Sequence, residues 1–170
     1  MLDYSMSIGK DNWGYVREMT RRLTDVIHAA SELGKTSRLG MFRFGAEVRQ
    51  LLDLAENANY NDVDGVIQRL LQLSLAGSTP MFDVTSQAAA MFDRNVRQIG
   101  DGYIASRTLI LFTDGRPDQG TDKTFNVLKS LMDKGIHVVM IGKQNSEYTV
   151  KVHNSTFDPH SLHAPASFTC

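Results

Sequence analysis

Apolar residues along this chain recur at two spacings, and the switches between them mark its elements. From Asp11 to Leu33, Val16, Met19, Leu23, Val26, Ile27 and Ala30 follow one another along one face at steps of three and four, which predicts an amphipathic helix, with Gly34 suited to its C-cap. Arg38 to Phe44 (RLGMFRF) alternates short apolar and polar residues, and Glu47 to Leu52 carries Val48, Leu51 and Leu52. With a tight turn at Gly45 and Ala46, these two runs read as a hairpin. Asn61 and Asp62 stand as capping residues before Val63, Val66, Ile67, Leu70, Leu71 and Leu73, again one helical face. A turn at Ala76–Pro80 leads to a third helix over about Met81 to Phe92, with Thr79 at its N-cap and Pro80 at its first position.

Beyond this point the pattern changes. Asp101 to Ser106 reads as loop. Thr108 to Thr113 (TLILFT) is a continuous apolar run ended by Asp114-Gly115, the composition of a strand buried on both faces. Thr124 to Lys134 is another amphipathic helix, stopped by Gly135, and Ile136 to Ile141 (IHVVMI) is the next buried strand. Two such strands separated by a helix form the crossover unit of a parallel sheet. The fold class is therefore α/β: an open, Rossmann-like, mostly parallel sheet with helices on both faces and one antiparallel edge strand from the hairpin. Tyr148 to Val152 fits an edge strand, and His160 to Cys170 an irregular tail, which leaves 1–160 as the domain and 161–170 outside it.

Composition narrows the function more than the fold. At 170 residues, 42% hydrophobic and 22% charged, one globular domain can bury a continuous core. The formal net charge is -1 and its Lys and Arg are interspersed with Asp and Glu, so no basic stripe tracks a phosphate backbone; nucleic acid is not an expected partner. Apolar runs such as Leu109 to Phe112 fall far short of the roughly 20 residues that span a bilayer. The one cysteine, Cys170, forms no internal disulfide, and Asn154-Ser155-Thr156 is a glycosylation sequon of the kind found on secreted surfaces.

The chemistry gathers at three places. Asp3-Tyr4-Ser5-Met6-Ser7 sets a carboxylate and two hydroxyls at alternating positions, so that an extended or looped backbone can point all three one way. Such oxygen ligands suit a hard cation. Magnesium takes six oxygens at about 2.1 Å and keeps several waters, whereas zinc prefers His and Cys. The five histidines show no ligand spacing. Thr79 stands in a Gly-Ser-Thr-Pro turn before a helix, and Asp114 ends a buried strand; in an open parallel sheet both would meet the first segment in the crevice outside the carboxyl ends of the strands. Taken singly, Thr79 reads as an N-cap, Asp114 as a turn residue, and Ser5 and Ser7 as solvated loop hydroxyls. Trp13 and Tyr15 read as core or helix-face packing and His28 as a partly buried histidine.

Taken together, DYSMS, GSTP and FTDG resemble, in order and spacing, the metal ion-dependent adhesion site of the von Willebrand factor type A domains, the fold of integrin inserted domains and many matrix proteins. Asn12-Trp13 and Arg116-Pro117-Asp118 are also frequent in that family, and the resemblance covers about Leu2 to Gly142. It implies that Asp3, Ser5, Ser7, Thr79 and Asp114 hold one magnesium or manganese ion. Ser5 and Ser7 would bind directly, Thr79 directly or through water, and Asp3 and Asp114 mainly through waters. The remaining position would take a Glu or Asp of a protein ligand, a charge-assisted contact. Tyr4, Met6 and Ser78, around the ion, would supply ligand contacts.

In this family the central first strand enters D-x-S-x-S as several apolar residues, whereas only Met1 and Leu2 precede Asp3 here. Unpaired neighbours in a sheet cost on the order of several kcal/mol, so the expectation is a truncated first strand, an internal Met1 and a native protein that begins earlier. The family's last helix is not visible around Pro159 and Pro165. The expected function is an extracellular or cell-surface adhesion or matrix module, with an intracellular adaptor of a chelatase-like or ATPase-linked complex as the alternative. An enzyme on a similar sheet would use Asp3 as nucleophile, but no catalytic Lys pattern and no His base at a strand end accompany it, so no catalytic residue is assigned.

Overall fold

The computed structural model describes residues 1–31, 37–54, 60–71, 75–99, 103–114, 121–144 and 147–153. Its centre is a six-stranded sheet built from β1 (Leu2–Asp3), β2 (Met41–Phe44), β3 (Val48–Leu52), β6 (Arg107–Phe112), β7 (Ile136–Gln144) and β8 (Glu147–His153), in the order β3-β2-β1-β6-β7-β8. The pairs β1–β2, β1–β6 and β6–β7 are parallel. The expected hairpin is β2–β3, antiparallel, and Tyr148 to Val152 falls within β8, antiparallel to β7 on the other edge. β1 lies at the centre of the sheet yet has only two residues, with Leu2 opposite both Arg43 and Phe112.

The strands alternate their side chains between two cores, as a pleat requires. Leu2, Met41 and Phe112 face α1 (Lys10–Ser31) and α2 (Tyr60–Leu71), together with Ile8, Trp13, Val16, Val63, Val66, Ile67 and Leu70. Phe42, Phe44, Leu109, Leu111 and Val138 face α3 (Met81–Arg94) and α4 (Thr121–Asp133), meeting Val84, Met91, Leu128 and Leu131. Apolar residues on both faces are what made the β6 and β7 runs continuous.

Several expectations change in detail. The inner face of α1 uses Thr20 and Thr24, whose hydroxyls donate to Val16 O and Thr20 O one turn back, whereas Val26 and His28 point to solvent. A threonine with its hydroxyl satisfied by its own helix packs as an apolar residue. α2 begins at Tyr60, so Asn61 and Asp62 lie in its first turn instead of before it. The expected loop at Asp101–Ser106 contains β5 (Tyr103–Ile104), paired with β4 (Gln98–Ile99) in a separate two-stranded hairpin too short to show a period. Gly34, the RPD run, the sequon, the tail and Cys170 lie outside the described residues.

Candidate metal centre

Asp3 ends β1, the loop after it carries Ser5 and Ser7, Asp114 follows the carboxyl end of the neighbouring β6, and the turn before α3 carries Thr79. After Asp3 the chain turns through Ser5 into a single 3-10 turn, Met6–Ile8, before α1 starts. Asp3 organises this bend: its Oδ1 accepts the Ser5 N–H at 2.9 Å and its Oδ2 accepts the Thr113 hydroxyl at 2.7 Å. Both carboxylate oxygens are thereby oriented from opposite sides, by the loop and by the end of β6.

The Gly77-Ser78-Thr79-Pro80 turn is laced to the first loop through backbone. Ala76 N–H donates to Tyr4 O at 3.2 Å and Met6 N–H to Gly77 O at 3.3 Å. Gly77 has φ +78°, and a Cβ there would collide with the backbone of Ala46 in the β2–β3 turn; only glycine satisfies both demands. This closure brings Thr79 Oγ1 to 3.3 Å from Ser5 Oγ, which lies 2.8 Å from Ser7 Oγ. Three hydroxyls from two distant segments so form one row beside Asp3. The cap position of α3 is Pro80, one residue later than expected, and the Thr79 hydroxyl donates to Ser5.

Burial grades the set. Asp3, Ser5 and Thr79 are buried, Asp114 is intermediate and Ser7 is exposed, so the row opens outward at Ser7. Burial pushes the Asp3 carboxyl above its ordinary value; the hydrogen bonds from Ser5 and Thr113 oppose the rise, and the Asp114 charge adds to it. A buried carboxylate beside a second one and a row of hydroxyls is a donor set that a hard divalent cation relieves and that a soft metal does not favour. Among the described residues no three His, Cys, Asp or Glu side chains converge, so a cation here depends on the hydroxyls. The residues fit the ion.

The three residues expected to touch a ligand separate. Met6 is 71% exposed and Ser78 is exposed, both at the mouth of the site. Tyr4 is a correction: its ring is 4% exposed, packed 6.2 Å from Trp13 with the Arg43 guanidinium 4.9 Å from its centroid. It supports the loop from beneath, because Ser5 and Asp3 turn their polar groups toward the site and the intervening side chain points into the core. Trp13 is buried as expected, and Tyr15 is exposed. Asn12 donates to Ile8 O at 2.6 Å, closing the turn before α1.

Sequence reasoning assigned no role to Thr113 or Arg43. Thr113 was visible inside FTDG, next to Asp114, but its partner is 110 positions away. Arg43 sits among apolar residues of β2; it is buried and bonds Glu47 at 2.8 Å.

Solved structures resemble this fold. The manganese-loaded TRAP protein of Plasmodium vivax superposes with a TM-score of 0.70 at 20% identity over 99% of this chain. Proximal thread matrix protein 1 of the mussel byssus, with a zinc-occupied MIDAS motif, gives 0.65 at 20% over 83%. The pilus adhesin SpaC of Lactobacillus rhamnosus GG gives 0.64 at 17% over 83%. The chain spans 63%, 36% and 24% of those three chains respectively. No functionally curated protein is similar enough in sequence to match. The sequence model of the von Willebrand factor type A domain matches residues 1–168, nearly the whole length, and the chain therefore belongs to the von Willebrand factor type A domain family.

Proposed function

We propose that this domain is a non-enzymatic protein-binding module of the extracellular or cell-surface adhesion type, in which Asp3, Ser5, Ser7, Thr79 and Asp114 hold a divalent cation, magnesium or manganese. The observation that carries the reading is the row of Thr79, Ser5 and Ser7 hydroxyls, 3.3 and 2.8 Å apart, beside the doubly hydrogen-bonded Asp3. The manganese of the TRAP structure, the zinc in the MIDAS motif of the byssus protein and the adhesin role of SpaC support it by analogy. When bound, the cation supplies a positive centre for a Glu or Asp side chain of the partner. The chain's own part is to orient the oxygens, to keep their number of charges low, and to surround the mouth with Met6 and Ser78, which set the specificity.

Titration calorimetry with manganese or magnesium alone tests the site: one ion per chain is expected, and Thr79→Ala is expected to weaken it. A peptide library presenting a central Glu, compared with the same library carrying Gln, tests the ligand chemistry; capture should require the metal and disappear in EDTA. Equal capture in EDTA, or of the Gln library, would overturn the proposal.

A further inference from the structure

Helix starts form part of the rim of the metal centre. α3 begins directly after Thr79 and Pro80, and α4 begins at Thr121, downstream of Asp114. Because β6 and β7 are parallel, the helix that joins them must start at the carboxyl end of β6 and return to the other end of the sheet. The first turns of α3 and α4 therefore share one end of the sheet with the ion site. One contact joins them: the Lys123 ammonium lies 5.8 Å from the centroid of the Phe82 ring. Phe82 follows Thr79 closely enough that at most roughly 11 Å of chain separates the two.

The amino end of a helix attracts a carboxylate and repels a cation. Asp11, Asp83 and Asp122, in the first turns of α1, α3 and α4, follow that rule. Lys10 and Lys123, also exposed in first turns, go against it. Of the two, Lys123 is the one seated on a ring: its ammonium takes the face of the partly buried Phe82, although Asp83 and Asp122 adjoin the pair in sequence. Among the described residues no carboxylate is paired with it. A cation set against its own helix dipole and steadied on an aromatic face breaks a local rule, and such breaks gather at functional sites. The ammonium keeps its hydrogen-bond donors for an incoming acceptor.

Resting on the reading of a metal-held Glu or Asp, we infer that Lys123, steadied by Phe82, is a second anchor for the same protein ligand and a determinant of its specificity. The ion takes one carboxylate and the ammonium takes another, so the preferred partner presents two acidic residues a few positions apart. Asp83 and Asp122 place negative charge on the same rim. They offset the pull of Lys123 on distant anions and disfavour a broadly acidic surface, so the rim selects one spaced carboxylate at contact range over net negative charge. An extended ligand advances about 3.3 Å per residue, and spacings of roughly two to five positions bracket the span from ion to ammonium.

The probe is a set of synthetic peptides in a Gly-Ser background, one carrying a single Glu and the others that Glu with an Asp at each of these spacings on either side. Binding is measured on the manganese-loaded chain. One spacing is expected to bind about two- to fivefold more tightly than the single-Glu peptide, the range of an exposed ion pair. Lys123→Gln should remove that gain. Lys123→Glu should reverse it, so that Lys at the same spacing binds better than Asp. Phe82→Leu keeps the apolar bulk without the ring and should reduce the gain, whereas Phe82→Tyr should keep it. Manganese titration of each variant reports on the ion site separately. Metal-dependent binding of the single-Glu peptide with no gain at any spacing, or a gain that survives Lys123→Glu, overturns this inference and leaves the metal reading standing. Absence of metal-dependent binding by every peptide overturns both.

Discussion

Single residues here act through what they exclude as much as through what they bind. Gly77 answers two constraints at once, a left-handed φ of +78° and contact with the Ala46 backbone. Gly77→Ala is expected to cost more than about 1 kcal/mol and to weaken metal binding by shifting Thr79, which chemical denaturation and calorimetry on one variant would show together. Asp3 gives a pH prediction whose sign follows from its raised pKa. Without a cation the folded chain keeps the Asp3 proton to higher pH than the unfolded chain does. This group's contribution to metal-free stability is therefore present below the ordinary carboxylate pKa and is lost as pH rises through the folded value. A cation favours the ionised form, so the proton must leave on binding and manganese affinity should fall as pH is lowered toward that value. Asp3→Asn should bind metal weakly at every pH; a variant as pH-dependent as the parent would reject Asp3 as the coupled group. Of the residues at this scale, Asp3, Ser5, Ser7 and Thr79 were readable from DYSMS and GSTP. The burial of Tyr4 was not, because a residue between two site residues can point outward or inward and only the packing of Trp13 and Arg43 decides which.

Among the elements, β2 carries the least expected feature, a buried arginine in a four-residue strand. Arg43 is held by the ring of Tyr4 and by Glu47, which is half exposed and also lies 3.4 Å from Arg49. A desolvated cation contributes little net stability through such an ion pair, yet removing that partner is costly. Arg43→Met is therefore expected to stay within about 1 kcal/mol of the parent, whereas Glu47→Ala should cost more, the difference being read from paired urea melts. The reverse order would mean that the cation over the Tyr4 ring is itself the main support of the metal loop. The helices show the same dependence on surroundings. The three-and-four spacing located α1, but Thr20 and Thr24 replace Val26 on its inner face because their hydroxyls are satisfied one turn back. Short elements left no period at all: two-residue β4 and β5 exist by pairing with each other.

For the whole molecule, a cation that binds only the native state links site to fold. At a metal concentration about 100 times Kd the gain is about 2.7 kcal/mol, which for a domain of this size raises the melting temperature by roughly 5–10 °C. Differential scanning calorimetry with manganese, then with excess EDTA, measures it, and a melting curve indifferent to both would reject a metal at this site. The parallel centre, the hairpin edge and the helices on both faces were legible beforehand because the β6 and β7 runs are apolar at nearly every position and the helices are apolar on one stripe. Local order thus follows from periodicity, which the chain carries without reference to distant partners. The candidate donor types were local as well, since an oxygen-rich motif is written in neighbouring residues. What only the tertiary structure decided is every relation between residues far apart in sequence. The Thr113 bond to Asp3, the approach of Thr79 to Ser5 and the inward turn of Tyr4 each depend on which segments lie side by side, and that arrangement is set by the packing of the whole chain.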